Sequence, residues 1–232
     1  MDVVRNFLAR YEQSREEELS LEDYLELCKK DPLVYATSAE RILAAIGEPE
    51  MFDTRHDQRL SRIFGNKVVK IYPAFQDFYG LEDPIEQVVS YFRHGAQGLE
   101  EKKQILYLLG PVGGGKSSIA ERLKHLMEQV PFYALKGSPV NESPLGLFSN
   151  TEDAPVLEAQ YSIAPRYLQR VMSPWAVKRL EEFGGDVRKF RVVKRFPSIL
   201  KQCAIAKTEP GDENNQDISS LVGKIDIRKL ET

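Results

Sequence analysis

The residues Gly110-Pro-Val-Gly-Gly-Gly-Lys-Ser117 match the pattern GxxxxGK[ST] at every fixed position. Such a run does one thing well. Its glycines let the main chain wrap closely around a polyphosphate with consecutive N–H groups pointing inward, and a helix starting at the lysine adds the positive end of its dipole. Gly110, Pro111, Val112, Gly113, Gly114, Gly115, Lys116, Ser117 and Ser118 are therefore the candidate nucleotide-binding residues. Lys116 carries the catalytic role, as a point charge on the β- and γ-phosphates; the Ser117 hydroxyl is the candidate Mg²⁺ ligand, and Ser118 lies one residue further round. The alternative is a glycine-rich turn that binds nothing, and the flanking pattern of strand before and helix after argues against it.

The base follows by elimination. A guanine-reading NKxD is absent, since Asn66-Lys67 is followed by Val68-Val69. That leaves ATP with Mg²⁺ as the expected ligand. Turnover needs a carboxylate at the end of a second apolar strand. The nearest imitation, Leu221-Val-Gly-Lys-Ile-Asp226, is interrupted by Gly223 and Lys224. The expectation is a chain that binds ATP without efficient hydrolysis.

Other chemistry-bearing residues read more plainly. Asp53-Thr-Arg-His-Asp57 has the makings of an acid/base cluster, but Asp57 suits a helix N-cap before Arg59–Phe64. His56, His94 and His125 lack metal-ligand spacing. Cys28 and Cys203 are too few for a disulfide framework, and Trp175 reads as a packing residue. Residues 166–207 hold 11 Lys+Arg against 3 Asp+Glu. Arg166, Arg170, Arg179, Arg188, Arg191 and Arg195 read first as a solvated face. An arginine reaching a neighbouring subunit's γ-phosphate, or a contact with nucleic acid, are the alternatives.

The elements that must position the loop come next. Ile105-Leu-Tyr-Leu-Leu109 reads as a buried strand, and Ile119, Leu123, Leu126 and Met127 as one helix face. Phe132–Leu135 reads as a second strand, closing a right-handed βαβ unit. Upstream, Leu21, Tyr24, Leu25 and Cys28 recur at helical spacing behind a Ser20 cap, and Ile42, Leu43 and Ile46 mark a second helix stopped by Gly47. Residues 47–72 read as a charged connector with a short helix at Leu60–Phe64, and a third helix follows Asp83-Pro84. Residues 137–165 read as a long loop, Ser173-Pro174 opens another helix, Phe190–Phe196 looks like a strand and Ile199–Ala206 like a helix. The expected fold is α/β, a P-loop NTPase with a parallel sheet flanked by helices (residues 73–232) behind a small helical region (residues 1–72).

Composition sets the outer bounds. The 232 residues are 42% hydrophobic and 29% charged, which suits a folded domain and excludes wholesale disorder. The net charge of −3 divides unevenly: residues 1–100 carry 12 Lys+Arg against 19 Asp+Glu. No apolar run approaches the roughly 20 residues of a membrane span, and no secretory leader is legible, so a cytoplasmic protein with no membrane association is expected.

Beyond the loop, several specific blocks carry a family resemblance: Gly47-Glu-Pro-Glu-Met51, Asp53-Thr-Arg-His-Asp57, Tyr72-Pro-Ala-Phe75, Tyr133 through Phe148, Ser173-Pro-Trp-Ala-Val177 and Lys207 through Asp217. From Tyr11 onward the chain resembles the N-terminal part of bacterial PrkA-type serine protein kinases, whose N-terminal region is an AAA-type ATPase module. The resemblance implies a longer protein that phosphorylates protein serine, a homo-oligomer in its full form, and further ATPase elements outside these residues. It also implies that Tyr79 and Gly80 line the adenine pocket, against the plain reading of Phe75, Phe78 and Tyr79 as core aromatics. An ATP-dependent protease or unfoldase, and an ATP-gated scaffold, are the competing functions, since a fold hosts many chemistries. The Gly-rich, HRD and DFG motifs of ordinary protein kinases are absent.

Overall fold

The computed structural model describes residues 17–168 and 171–206. After a short strand β1 (Glu18–Ser20), helix α1 (Leu21–Lys30) starts where the Ser20 hydroxyl accepts the Asp23 N–H at 3.0 Å. Glu22 and Asp23 in its first turn and Lys29 and Lys30 in its last complement the helix dipole. Helix α2 (Ser38–Ile46) is capped reciprocally. The Thr37 hydroxyl accepts the Glu40 N–H, while the Thr37 N–H donates to the Glu40 carboxylate at 2.7 Å. Gly47, at φ +80°, ends it.

The connector holds more order than its charge suggests. Strands β2 (Glu50–Asp53) and β3 (Val68–Ile71) form an antiparallel ladder with Phe52 opposite Val69, closed around the short helix α3 (Gln58–Phe64). Asp57 caps α3, accepting from the Arg59 and Leu60 N–H groups. Asp53 caps the preceding 3₁₀ turn and pairs with Arg55. Both carboxylates of the suspected acid/base cluster thus serve the local backbone. Thr54 is fully buried, and its hydroxyl donates toward the carbonyls of Gly65 and Lys67.

Helices α4 (Glu82–Ala96) and α5 (Lys116–Gln129) follow, then β4 (Phe132–Leu135), α6 (Ala154–Tyr161), α7 (Pro174–Glu182) and β5 (Arg191–Arg195). The second sheet has the order β1-β5-β4 and is antiparallel throughout. This corrects the expectation of a parallel sheet and of a βαβ unit. The strand after α5 pairs with β5, and Ile105–Leu109 joins no sheet among the described residues. Ile105, Tyr107 and Leu109 are 90%, 77% and 79% exposed. Two smaller corrections concern the irregular stretches. The 137–165 loop contains α6, terminated by Ser162 in the left-handed region, and 199–206 is a turn closed by a Ser198–Cys203 bridge, not a helix.

Two apolar clusters hold these elements. One gathers Leu21, Tyr24, Leu25 and Cys28 of α1 with Leu135, Leu157, Ile163, Phe190 and Val192; Trp175 packs at its edge against Phe190. The other joins Ile42 and Ile46 of α2, Tyr72 and Phe75, Ile85 and Val89 of α4, and Ile119 and Leu126 of α5. Each cluster draws side chains from both sides of the Tyr72–Pro73 junction. The second cluster is what fixes α5, and with it the phosphate-loop motif.

Candidate functional site

Gly113 and Gly115 both lie at φ +77°, a conformation nearly reserved for glycine, and they reverse the chain into α5. The Gly114 N–H donates to the Pro111 carbonyl at 3.2 Å, tightening the turn. The room is as specific as the dihedrals. A Cβ on Gly114 would come within 3.0 Å of the Pro111 oxygen, and one on Gly115 within 2.7 Å of Leu81 Cδ1. At Gly114 the obstacle is backbone, and at Gly115 it is the tip of the Leu81 side chain, which would have to move aside. Beyond the turn stand the first N–H groups of α5, which have no intrahelical partners.

Lys116 folds back over the loop, its Nζ donating to the carbonyls of Gly110 at 2.8 Å and Pro111 at 2.6 Å. Both acceptors are neutral, and among the described residues no carboxylate pairs with it. A cation is therefore held at a loop of bare backbone by neutral acceptors, with no carboxylate against it among the described residues. Ser117 and Ser118 are exposed at the start of the helix.

A cleft of about 750 Å³ opens beside this turn, lined by Ser117, Ser118 and Gly115 together with Asp77, Phe78, Tyr79 and Leu81. The structure separates the three aromatics. Phe75 is buried in the second cluster, Phe78 packs edge-on against it, and Tyr79 is 84% exposed on the cleft wall. Gly80, at φ +78°, lies in an adjoining hollow of about 310 Å³ with Tyr79 and Ile63. Glu121, Arg122 and His125 also face the cleft. Motif matching overlooked them, although helical spacing from Ser117 and Ser118 puts 121, 122 and 125 on that side. Arg122 is anchored twice, donating to the Ala74 carbonyl at 2.9 Å and pairing with Asp77, while its guanidinium lies over the Phe78 ring. It ties α5 to the 74–78 segment.

Below the cleft, Tyr72, Lys70, Glu86 and Arg93 join β3 to α4. The Tyr72 hydroxyl donates to Glu86, and Lys70 pairs with the same carboxylate at 2.6 Å. Burial, then the Glu86 bond, pushes the Tyr72 phenol up to about 12. Burial alone works against ionisation of Glu86; donors Lys70 and Tyr72, with the charges of Lys70 and Arg93, outweigh it and hold the carboxyl below its ordinary value.

The basic segment is mostly spoken for locally. Arg166 pairs with Glu40, Arg179 with Glu182 and Arg188 with Asp186, and Arg195 donates to Asn141. Arg191 is exposed in β5. Arg170 lies outside the described residues, as do Asp226 and the block from Lys207 to Asp217. No group of three or more metal-binding side chains forms among the described residues, and none of their helices is long and apolar enough to cross a membrane.

Comparison with known proteins gives these features a setting. The family model described as the PrkA AAA domain matches residues 19–232. A protein of Escherichia coli K12 named serine/threonine kinase YeaG is 63% identical over 235 residues, which cover 100% of this chain and 36% of that protein. A protein of Bacillus subtilis 168 named ATP-dependent protease PrkA is 33% identical over 246 residues, covering 99% of this chain and 36% of that protein. The chain thus spans about a third of the length of the curated relatives it matches. No solved structure matches it.

Proposed function

The chain belongs to the PrkA AAA domain family, and from that membership we propose that it is the Mg-ATP-binding module of a longer protein that phosphorylates protein serine. The single observation that carries the reading is the loop itself. Two left-handed glycines and a third with no room for a Cβ leave bare backbone facing the cleft, and Lys116 lies over it with no carboxylate against it among the described residues. These features fit a polyphosphate. Gly113, Gly114 and Gly115 would supply main-chain N–H groups, Lys116 would exchange its two carbonyl partners for phosphate oxygens, and Ser117 would hold Mg²⁺. Mg-ATP, when bound, supplies the transferable phosphoryl group. Tyr79 and Gly80 would line the base site, a reading supported by Tyr79 bordering the cleft beside the loop and Gly80 the adjoining hollow.

What these residues contribute is positioning and charge. Leu81 braces Gly115 at the point where loop becomes helix, so the wall of the base site and the phosphate cradle are one contact apart. Arg122 locks the helix to the 74–78 segment that forms the other wall. The two carboxylates of the cleft, Asp77 and Glu121, pair with Arg122 and Lys124, so slow turnover by these residues alone is part of the reading. Serine-kinase chemistry in the longer protein is supported by the name of the 63% identical relative; the name of the 33% identical relative favours a second reading, ATP-dependent proteolysis.

One experiment separates the two. The longer protein is incubated with γ-labelled ATP and an unfolded model substrate such as casein. Label on serine, lost in Lys116→Ala, supports the kinase reading; ATP-dependent shortening of the substrate without label transfers the assignment to the protease.

A further inference from the structure

Glu82 opens α4 with a buried carboxylate. The residue is 9% exposed, and among the described residues its Oε2 has no hydrogen-bond partner. Buried polar groups are bonded as a rule, because an unmatched one loses its hydration without compensation. The dipole at a helix start favours an acid, but Asp83, exposed in the same turn, answers that without burial.

Glu82 lines the hollow of about 310 Å³ that adjoins the phosphate-loop cleft. Leu60 and Ile63 of α3, with Phe75, Phe78 and Ile85, give this hollow apolar walls, and Tyr79 stands 84% exposed beside them. The polar groups of the lining leave Oε2 unfilled. Tyr72 and Lys70 bond to Glu86, Asp57 caps α3, and Arg59 and Gln76 are exposed. Apolar walls with one buried acceptor suit an aromatic heterocycle that presents an N–H donor at its edge. The position suits a nucleotide base. Phe78 and Tyr79 line both cleft and hollow, and Leu81, next to Glu82, lies against Gly115 of the loop.

We propose that Glu82 reads the base, its Oε2 accepting a hydrogen bond from the 6-amino group of adenine while the ring lies between the apolar walls; this rests on the reading of the loop as an ATP site. One unfilled oxygen matches the one amino donor that adenine offers. Guanine would bring two donors, its N1–H and its 2-amino group. A base without the amine leaves the carboxylate buried and unbonded, and that cost is what discriminates.

Purine riboside triphosphate, which is ATP with hydrogen in place of the 6-amino group, is the probe. Calorimetry gives Kd for ATP, for this analogue and for GTP, each with Mg²⁺, on the 232-residue chain as wild type, Glu82→Met and Glu82→Gln. The wild type is expected to prefer ATP to the analogue at least about tenfold, as a hydrogen bond to a charged group allows. Glu82→Met, of similar length but without the oxygen acceptor, should bind both alike, and Glu82→Gln, which keeps a carbonyl, should restore most of the preference. A purely structural Glu82 would shift both affinities together and leave their ratio unchanged. Melting temperatures check folding, and Glu82→Ala takes the place of Glu82→Met should the latter unfold. Equal affinities for ATP and the analogue in the wild type overturn the proposal and leave the phosphate loop standing. So does a preference that survives removal of the carboxylate, or tighter binding of GTP than of ATP. Binding of none of the three contradicts the loop assignment itself, and the role of Glu82 falls with it.

Discussion

Gly115 shows how narrowly a single residue is specified. It needs φ +77°, which any side chain resists, and it needs the space that Leu81 would otherwise contest at 2.7 Å. Gly113 has the same dihedral, but a Cβ there would meet nothing within 4 Å. The two substitutions are therefore expected to differ. Gly113→Ala should weaken ATP binding through backbone strain of about 1 kcal/mol, and Gly115→Ala should weaken it several-fold more. Adding Leu81→Ala should recover the excess in the second case and nothing in the first. Titration of a fluorescent ATP analogue into the four variants reads this directly. Equal losses at both glycines would mean that Leu81 does not brace the loop. The motif made these glycines legible in the sequence, because spacing is all that a phosphate loop requires; the Leu81 contact was not, because it joins residues 34 positions apart through a fold no local pattern encodes.

At the scale of elements, caps were readable and partners were not. Ser20 and Asp57 cap their helices because a short acceptor side chain ahead of an apolar stripe is a local signal. The β2–β3 ladder escaped the same reading, since Val68-Val69-Lys70-Ile71 is short and its partner lies across a charged stretch. Ile105–Leu109 failed in the opposite direction. Five consecutive apolar residues record a demand for burial and say nothing about which chain meets it. The junction of β3 with α4 gives a pH test of its own. With its folded pKa held below the ordinary 4.5, Glu86 adds stability that is complete above that value and is lost as pH falls through the folded pKa. Glu86→Gln should thus lower the melting temperature at pH 7 and flatten its decline between about pH 5 and pH 3, the range around an ordinary carboxyl. Parallel pH curves for wild type and variant would show that the Lys70–Tyr72–Glu86 link contributes nothing.

At the scale of the molecule an exposed apolar run lies beside the phosphate-loop motif. Ile105, Tyr107 and Leu109 stand in solvent directly before the phosphate loop, and the relatives are nearly three times as long as the stretch they share with this chain. On the proposed reading, further residues of the longer protein cover this run as a sheet, which is also where a metal-orienting carboxylate would enter. Tyr107→Asp should then leave the melting temperature of the 232-residue chain unchanged within the about 0.5 kcal/mol of an ordinary surface substitution. In the longer protein it should cost several degrees. Equal tolerance in both would mean that the run stays exposed.

The central claim, a phosphate loop that binds Mg-ATP, is tested most directly by the melting temperature of the chain with and without ATP and Mg²⁺, in wild type and in Lys116→Ala. Among the described residues the Lys116 ammonium bonds to the carbonyls of Gly110 and Pro111 and lies outside both apolar clusters, so its loss should spare the fold. A ligand held only by the native state at a hundredfold excess over Kd stabilises it by about 2.7 kcal/mol. The wild type should rise by several degrees, with the rise fading on dilution of ATP, and Lys116→Ala should barely move. An equal rise in both proteins, or none in the wild type, would contradict the assignment.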